Sequence, residues 1–242
     1  MPHGAPDWYK YRRDSATFPI DDLAEHAVRL GSIDTFDRRG DVLEMDDFEQ
    51  GTLKWRFSLY GAGARGAISP THARSKGYSM ELITGSDGGQ EILAQWRLPY
   101  PKLSKTGLEL SFAMGTDLFR IPWALHRHDG TLGYTFELHY NNNTFELSYL
   151  NPLGLRTVFA TGVRLYNAPH LFNYLKLVAD LSNNTYVRAI VNEVQYDLSG
   201  CPCYITASAL IPHLEISMRC AGNLGTNISS YVDDVIVTRD EP

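Results

Sequence analysis

The sequence has few cysteines and no long apolar run. Its three cysteines are Cys201, Cys203 and Cys220, and an odd number does not describe a disulfide framework. Zinc sites usually space paired thiolates by two to four residues, which Cys-Pro-Cys does not do. We therefore interpret all three as small apolar residues within strands. No stretch approaches the about 18 consecutive apolar residues that a membrane-spanning helix needs.

The sequence also lacks a surplus of positive charge. Twenty-two Lys and Arg against 28 Asp and Glu give a formal net charge of −6, which argues against binding to the phosphate backbone. The opening residues MPHGAPDWYKYRRDS contain no apolar stretch typical of a secretory signal. We therefore expect a cytoplasmic protein with neither a nucleic acid nor a membrane as partner.

The composition is that of a globular protein. Hydrophobic residues make up 43% and charged residues 21%, and 242 residues suit one all-β sandwich of about 200–250 residues. We find no internal repeat and no break in composition, so we predict a single domain.

The N-terminal part differs from the rest. Residues 21–30, DDLAEHAVRL, predict a short helix that ends at Gly31. We assign residues 1–45 to an arm and this helix, which pack on the body, and residues 46–242 to a sandwich. Trp8 and Tyr11 in the arm also offer a contact for a homo-oligomer.

After residue 45, apolar and polar residues alternate. Residues 92–98 and 214–218 are examples, with Gln95, Arg97 and Glu215 at the polar positions. This period of two predicts strands with one buried and one solvated face. Turn residues at short intervals divide the chain into about 12 to 14 such strands. The fold class is therefore all-β, a two-sheet antiparallel jelly-roll sandwich.

Two hairpins are predicted with a register. A two-residue turn at Asn142-Asn143 pairs Leu138 with Leu147 and sets His139 opposite Glu146 on the polar face. Glu137 lies on the same face.

The second hairpin spans residues 175–191. A three-residue loop at 182–184 pairs Leu177 with Ala189 and places three polar side chains on the other face, namely Lys176, Tyr186 and Arg188.

Three motifs in order resemble the concanavalin A-like lectin and glucanase superfamily. They are DDFEQG at 46–51, followed by Trp55, then SKGYSMEL at 75–82 and YVDDVIV at 231–237. The resemblance covers about residues 46–238. It implies a jelly roll similar to carbohydrate-binding modules and bacterial sandwich proteins, and it leaves the function open.

The resemblance further implies that the first and last strands lie side by side. In such modules, carboxylates from these strands often hold a structural calcium, and the matching residues here are Glu49, Asp233 and Asp234. Calcium takes six to eight oxygen ligands, so carbonyls and water would complete the site. Hydrogen bonding at the strand ends is the alternative. No other cofactor is expected.

Glu44, Asp46 and Glu49 have the spacing E-x-D-x-x-E, which resembles the catalytic trio of laminarinase-type glucanases. However, Asp47 stands where that pattern has an apolar residue, and the motif opens the domain rather than lying in a central strand. We therefore assign no catalytic residue.

We expect polar residues on a concave sheet face to bind a ligand, with Trp96, Tyr100, Trp123 or Tyr186 available for stacking on a sugar. The leading hypothesis is non-catalytic glycan binding through this face or adjacent loops. A structural or assembly protein is the first alternative, and a glycoside hydrolase or polysaccharide lyase is the second. The candidate ligand-binding residues are His126, Glu137, His139, Glu146, Lys176, Tyr186 and Arg188.

Overall fold

The computed structural model describes residues 39–52, 54–87, 90–115, 118–223 and 225–242. The predicted arm and helix within residues 1–38 lie outside these described residues. Arg39–Pro242 form one compact unit. This part of the chain holds no helix of the length and apolarity that crossing a membrane requires.

The described residues are organised almost entirely as strands and the turns between them. The strands are β1 (Asp41–Asp46), β2 (Trp55–Leu59), β3 (Arg65–Ser69), β4 (Ser79–Ile83), β5 (Glu91–Leu98), β6 (Lys105–Ala113), β7 (Leu118–His128), β8 (Leu132–Asn141), β9 (Glu146–Leu150), β10 (Arg156–Ala160), β11 (Asn173–Asp180), β12 (Thr185–Val191), β13 (Val194–Asp197), β14 (Tyr204–Ala207), β15 (His213–Gly222) and β16 (Ser229–Arg239).

The strands form two eight-stranded sheets. Sheet A has the order β13-β12-β11-β6-β16-β4-β3, with β1 also paired to β16, and sheet B has the order β10-β9-β8-β7-β15-β5-β2, with β14 also paired to β8. The described pairings are antiparallel, for example between β15 and both of its neighbours. The predicted all-β, two-sheet antiparallel sandwich is therefore confirmed.

The core lies between the two sheets. Trp123 and Phe136 from sheet B and Leu110 and Val237 from sheet A are all buried within one apolar cluster. Each alternates with an outward residue, as the period of two requires. Burying a side chain of this size contributes about 1.5–3 kcal/mol, so this cluster stabilises the positions of both outer faces.

The three motifs behind the superfamily resemblance meet in sheet A. Asp46 of β1 pairs with Val235 of β16, and Met80 of β4 pairs with Val232 of the same strand. The expected adjacency of the first and last strands is confirmed.

The first hairpin has a different register from the predicted one. Tyr140 pairs with Leu147 and His139 with Ser148, so the loop contains the four residues 142–145. The register is displaced by two residues, which changes the partners but leaves each side chain on its predicted face.

The second hairpin follows the prediction except near its loop. Leu177 pairs with Ala189 as predicted, but the register shifts between Val178 and Ala179, and Ala179 pairs with Tyr186. This bulge turns Tyr186 inward, where it is fully buried. Its predicted place on the polar face is wrong.

Candidate functional site

Most outward residues of sheet B carry hydrogen-bonding groups, and we call the surface that these groups form the polar face. Four apolar residues lie among them, namely Leu93, Pro122, Ala124 and Val158. The outward side chains alternate with core residues along each strand, so they point away from sheet A. The polar face comprises Arg56, Glu91, Gln95, Arg97, Arg120, His126, Thr135, Glu137, His139, Glu146, Ser148, Arg156, Glu215, Ser217 and Arg219.

Cross-strand pairing arranges part of the polar face as a row across five strands. Glu137 pairs with Ala124, Ala124 with Ser217, Ser217 with Gln95, and Gln95 with Arg56. Small side chains therefore occupy the middle of the row, and longer polar ones stand on both sides.

A second row runs beside the first. Thr135 pairs with His126, His126 with Glu215, and Glu215 with Arg97. Two residues along a strand separate the rows by about 6.8 Å. Both rows cross the sheet perpendicular to its strands, which is the direction in which an extended chain molecule could lie across several of them.

Glu137 is the centre of a chain of opposite charges. Its carboxylate lies 2.9 Å from Nη2 of Arg156 and 3.7 Å from Nη2 of Arg219. Glu91 continues the chain, with its oxygens 3.5 Å from Arg219 and 3.6 Å from Arg120. The three arginines are partly exposed, whereas the Glu137 side chain is 6% exposed. The guanidinium groups are therefore the more accessible part of this chain.

Glu215 is held by two side chains from β5. Gln95 Nε2 donates to one carboxylate oxygen at 2.6 Å, and Arg97 Nε donates to the other at 2.9 Å. Burial raises the pKa of Glu215, but the bonds from Arg97 and Gln95 outweigh it, so the pKa lies below its ordinary value. Glu215 is therefore an ionised acceptor in a fixed position.

His126 and His139 are neutral members of the polar face. His126 Nε2 lies 2.8 Å from Ser217 Oγ, and its Nδ1 lies 3.2 Å from Thr135 Oγ1. Burial lowers the pKa of His126 to about 4. Burial, followed by Arg156 and Arg120, lowers the pKa of His139 to about 3. At neutral pH each ring therefore has one N–H donor and one acceptor nitrogen.

A cleft of about 290 Å³ opens at the end of the polar face formed by β2 and β5. Lys54 Nζ lies 4.8 Å from the centroid of the Trp96 ring and also lines a second cavity of about 410 Å³ beside β1. The first cleft is lined by Lys54, Arg56, Gln95, Trp96 and Arg97.

The structure separates the seven predicted ligand-binding residues. His126, Glu137, His139 and Glu146 lie on the outward side of sheet B, and their role in binding stays a prediction. The other three lie elsewhere, so the expectation that all seven share one surface is wrong. Lys176, Tyr186 and Arg188 belong to β11 and β12 of sheet A. The alternation of residues within a strand does not tell which sheet the strand joins.

Lys176 and Arg188 lie on the outer side of sheet A. Lys176 Nζ is 2.8 Å from the carboxylates of both Glu109 and Glu241. Arg188 forms an ion pair with Glu241 and donates to the Pro242 carbonyl at 2.9 Å. These buried ion pairs and the hydrogen bond hold Glu241 and Pro242 against β11 and β12.

Tyr186 reaches through the core to the back of the polar face. Its hydroxyl accepts a bond from the Glu137 backbone N–H at 2.9 Å and lies 3.0 Å from the Leu150 carbonyl oxygen. Tyr186 is therefore a positioning residue for Glu137.

The other aromatic residues considered for stacking are mostly buried. Trp123 is fully buried and Trp96 is 5% exposed, whereas Tyr100 is 40% exposed. The polar face therefore presents hydrogen-bonding and charged groups rather than a flat aromatic surface.

The carboxylates expected to hold calcium accept bonds from protein donors. Asp233 accepts from the backbone N–H groups of Arg74, Ser75 and Asp234 at 2.8–3.0 Å. Asp234 accepts from Ser75 Oγ at 2.7 Å and forms a 3.0 Å ion pair with Arg74. Glu49 accepts from two further backbone N–H groups, those of Gly77 and Tyr78.

These bonds favour the alternative reading, hydrogen bonding at the strand ends. Arg74 supplies a positive charge beside Asp234, and a bulge in β16 lets both buried aspartates reach the loop before β4. Within the described residues, no group of three or more His, Cys, Asp or Glu side chains is arranged as a metal site. A need for calcium stays a prediction.

Asp46, from the glucanase-like trio, has a similar role. Its two oxygens accept from the Phe48 backbone N–H at 3.0 Å and from Trp55 Nε1 at 2.9 Å. The carboxylate is buried and fixes the turn after β1, on sheet A rather than on the polar face.

Sequence reasoning did not select Arg56, Arg97, Arg156, Glu215 or Arg219 as site residues. The alternation in β5 and β15 placed Arg97 and Glu215 on a solvated face. What was missing was the position of β15 between β5 and β7, because these strands are distant in sequence.

Comparison with known proteins supports the fold. No protein-family model and no curated protein matches the sequence. Among solved structures, an endo-β-1,4-glucuronan lyase from the fungus Trichoderma reesei matches with a TM-score of 0.53 and 13% identity, over 82% of this chain and 95% of that one. A protein with a galectin-like fold from Bacillus subtilis matches with a TM-score of 0.52 and 11% identity, over 84% and 97%. A carbohydrate esterase from a Shiga toxin-encoding bacteriophage matches with a TM-score of 0.50 and 13% identity, over 83% and 99%. At these identities the likeness is one of fold, and the chain has the concanavalin A-like jelly-roll fold.

Proposed function

We propose that this protein binds a glycan, without cleaving it, on the polar face of sheet B. The observation that carries the proposal is the pair of polar rows that crosses β8, β7, β15 and β5. Sugar hydroxyls need donors and acceptors in fixed positions. Arg56 and Arg97 are exposed and Gln95 is half-buried, so these guanidinium and amide groups are the accessible ones, while Glu137, Ser217 and Glu215 lie buried beneath them.

The mutual hydrogen bonds support this proposal because they fix the side chains before a ligand arrives. His126 is bonded to Ser217 and Thr135, and Glu215 to Gln95 and Arg97. Side chains that are already ordered lose little conformational entropy on binding. Names of two structures with this fold, the glucuronan lyase and the carbohydrate esterase, also refer to carbohydrates.

The arginine partners of the two carboxylates favour binding over hydrolysis. Glu137 forms an ion pair with Arg156, and Glu215 forms one with Arg97. A glycosidase needs one carboxyl group that carries a proton as its general acid, whereas the pKa of Glu215 lies below its ordinary value.

The test is a glycan array with the purified full chain, followed by incubation of each hit and mass spectrometry of the products. We expect at least one glycan to bind and to stay intact. The double variant Glu137→Gln/Glu215→Gln should lose most of the binding. The control Glu193→Gln changes an exposed residue beyond β12 on sheet A and should bind as the wild type does. Cleavage of a bound glycan, or full binding by the double variant, would contradict the proposal.

A further inference from the structure

The cleft at the β2–β5 end of the polar face concentrates positive charge. Three of its five lining residues are cationic, namely Lys54, Arg56 and Arg97, although the whole chain has a net charge of −6. Such a local reversal of sign is not expected from composition alone. It marks the cleft as attractive to an anion.

The three cations differ in how far their charge is already neutralised. Arg97 is paired with Glu215 at 2.9 Å. Lys54 donates to the Met45 carbonyl oxygen at 3.2 Å, lies over the Trp96 ring and forms no ion pair with a described residue. Asp46 and Asp47 line the neighbouring cavity with it, but they are bonded to Trp55 and Lys76 instead. Arg56 is exposed and forms no ion pair with any described residue. Two positive charges in the cleft therefore remain available.

Arg56 stands at the end of the row that begins at Glu137. It pairs with Gln95, which is hydrogen-bonded to Glu215. A glycan lying along the rows would therefore bring one of its sugar units to the cleft, whose volume of about 290 Å³ is of the order of one sugar ring.

We propose that the protein is selective for an anionic glycan, and that Arg56 and Lys54 bind the carboxylate or sulfate group of one sugar unit in the cleft. This inference rests on the proposed function. A guanidinium can donate two parallel N–H bonds to such a group, and the lysine ammonium adds a point charge beside it. Arg56 breaks no ion pair with a described residue when it turns to the ligand.

The experiment compares three ligand classes by isothermal titration calorimetry with the full chain. The probes are an oligouronate, a sulfated oligosaccharide and a neutral oligoglucan of similar length. We expect one or both anionic probes to bind at least tenfold more tightly than the neutral probe, and which of them binds identifies carboxylate or sulfate as the recognised group. The preference should weaken as salt is raised.

Single substitutions in the cleft test which residues make binding selective for an anionic glycan. Arg56→Gln should weaken binding of the anionic probe about tenfold or more, since it removes a charge-assisted bond, and Lys54→Gln should add to this loss. The matched control Arg65→Gln changes an exposed arginine of β3 in sheet A and should have no effect.

Two results would overturn the inference while leaving the proposed function intact. One is equal affinity for neutral and anionic probes, and the other is unchanged affinity in Arg56→Gln. Absence of binding to all three classes, together with a blank glycan array, would instead contradict the proposed function.

Discussion

The hydroxyl of Tyr186, on sheet A, accepts a hydrogen bond from the backbone N–H of Glu137, on sheet B, at 2.9 Å. The same hydroxyl lies 3.0 Å from the carbonyl oxygen of Leu150. Glu137 and Leu150 follow the last paired residues of β8 and β9, which are Leu138 and Tyr149. The Tyr186 hydroxyl therefore bonds the two backbone groups that would otherwise continue the pairing of these strands. A core side chain thus determines where a residue of the polar face stands.

Replacement of Tyr186 by Phe should therefore destabilise the fold. The change leaves the buried Glu137 N–H and the half-buried Leu150 carbonyl without this partner, which costs about 1–3 kcal/mol. Urea denaturation followed by tryptophan fluorescence measures the free energy of unfolding. Tyr100→Phe, at a 40% exposed position, is the matched control and should leave it unchanged. An equally stable Tyr186→Phe would show that this hydroxyl contributes nothing.

Glu241 should matter for stability and not for binding. Its carboxylate lies 2.8 Å from Lys176 and forms an ion pair with Arg188, so Glu241→Gln removes one negative charge from between two buried cations, of which Lys176 keeps its ion pair with Glu109. The expected loss is about 3 kcal/mol of unfolding free energy. Glycan affinity at a temperature where the variant is folded should be unchanged, because these residues lie on sheet A. A weakened affinity would place the binding surface on sheet A instead.

Chelation tests the predicted calcium. Asp233 and Asp234 are bonded to N–H groups, a hydroxyl and a guanidinium, so EGTA should leave the melting temperature unchanged. Asp233→Asn should lower the unfolding free energy by about 2 kcal/mol, whereas the exposed control Asp41→Asn should not. A lower melting temperature in EGTA that added calcium restores would establish a calcium site, because a bound ion stabilises the folded state.

Acid should weaken the fold through His139. Burial and the nearby Arg156 and Arg120 lower the pKa of this ring to about 3 in the folded state, against about 6.5 when it is unfolded. The unfolded chain therefore binds more protons below pH 6.5, and stability is lost as the pH falls through that window. The unfolding free energy of the wild type should fall more steeply between pH 7 and pH 5 than that of His139→Asn. Parallel pH profiles would contradict the buried, neutral ring.

The alternation of apolar and polar residues in the sequence predicts on which face of the sheet a side chain lies. Side chains alternate strictly along a strand, so Glu137 and His139 were placed correctly even though the hairpin register is displaced by two residues. A register displaced by two residues leaves every side chain on the same face. The alternation of apolar and polar residues therefore fits both registers equally well. The Asn141 side chain, which accepts bonds from the backbone N–H groups of Asn143 and Thr144, is the missed signal for the longer loop.

The other wrong predictions have two causes, a bulge within a strand and the order of the strands in the sheets. One extra residue at the bulge in β12 was enough to turn Tyr186 from the polar side into the core. Lys176 and Arg188 have the same polar alternation as Glu137, and the order of strands in the sheets separates them. The polar face itself depends on β15 lying between β5 and β7, about 90 residues or more from either partner in sequence.

The most direct test of the account is an NMR titration of the isotope-labelled full chain with the best-binding glycan. Shift changes should concentrate on β2, β5, β7, β8 and β15, and on the side-chain Nε–H of Arg56, while β11 and β12 remain unaffected. Changes confined to the outer side of sheet A, or to loops remote from the polar face, would contradict the assignment of the binding surface to sheet B.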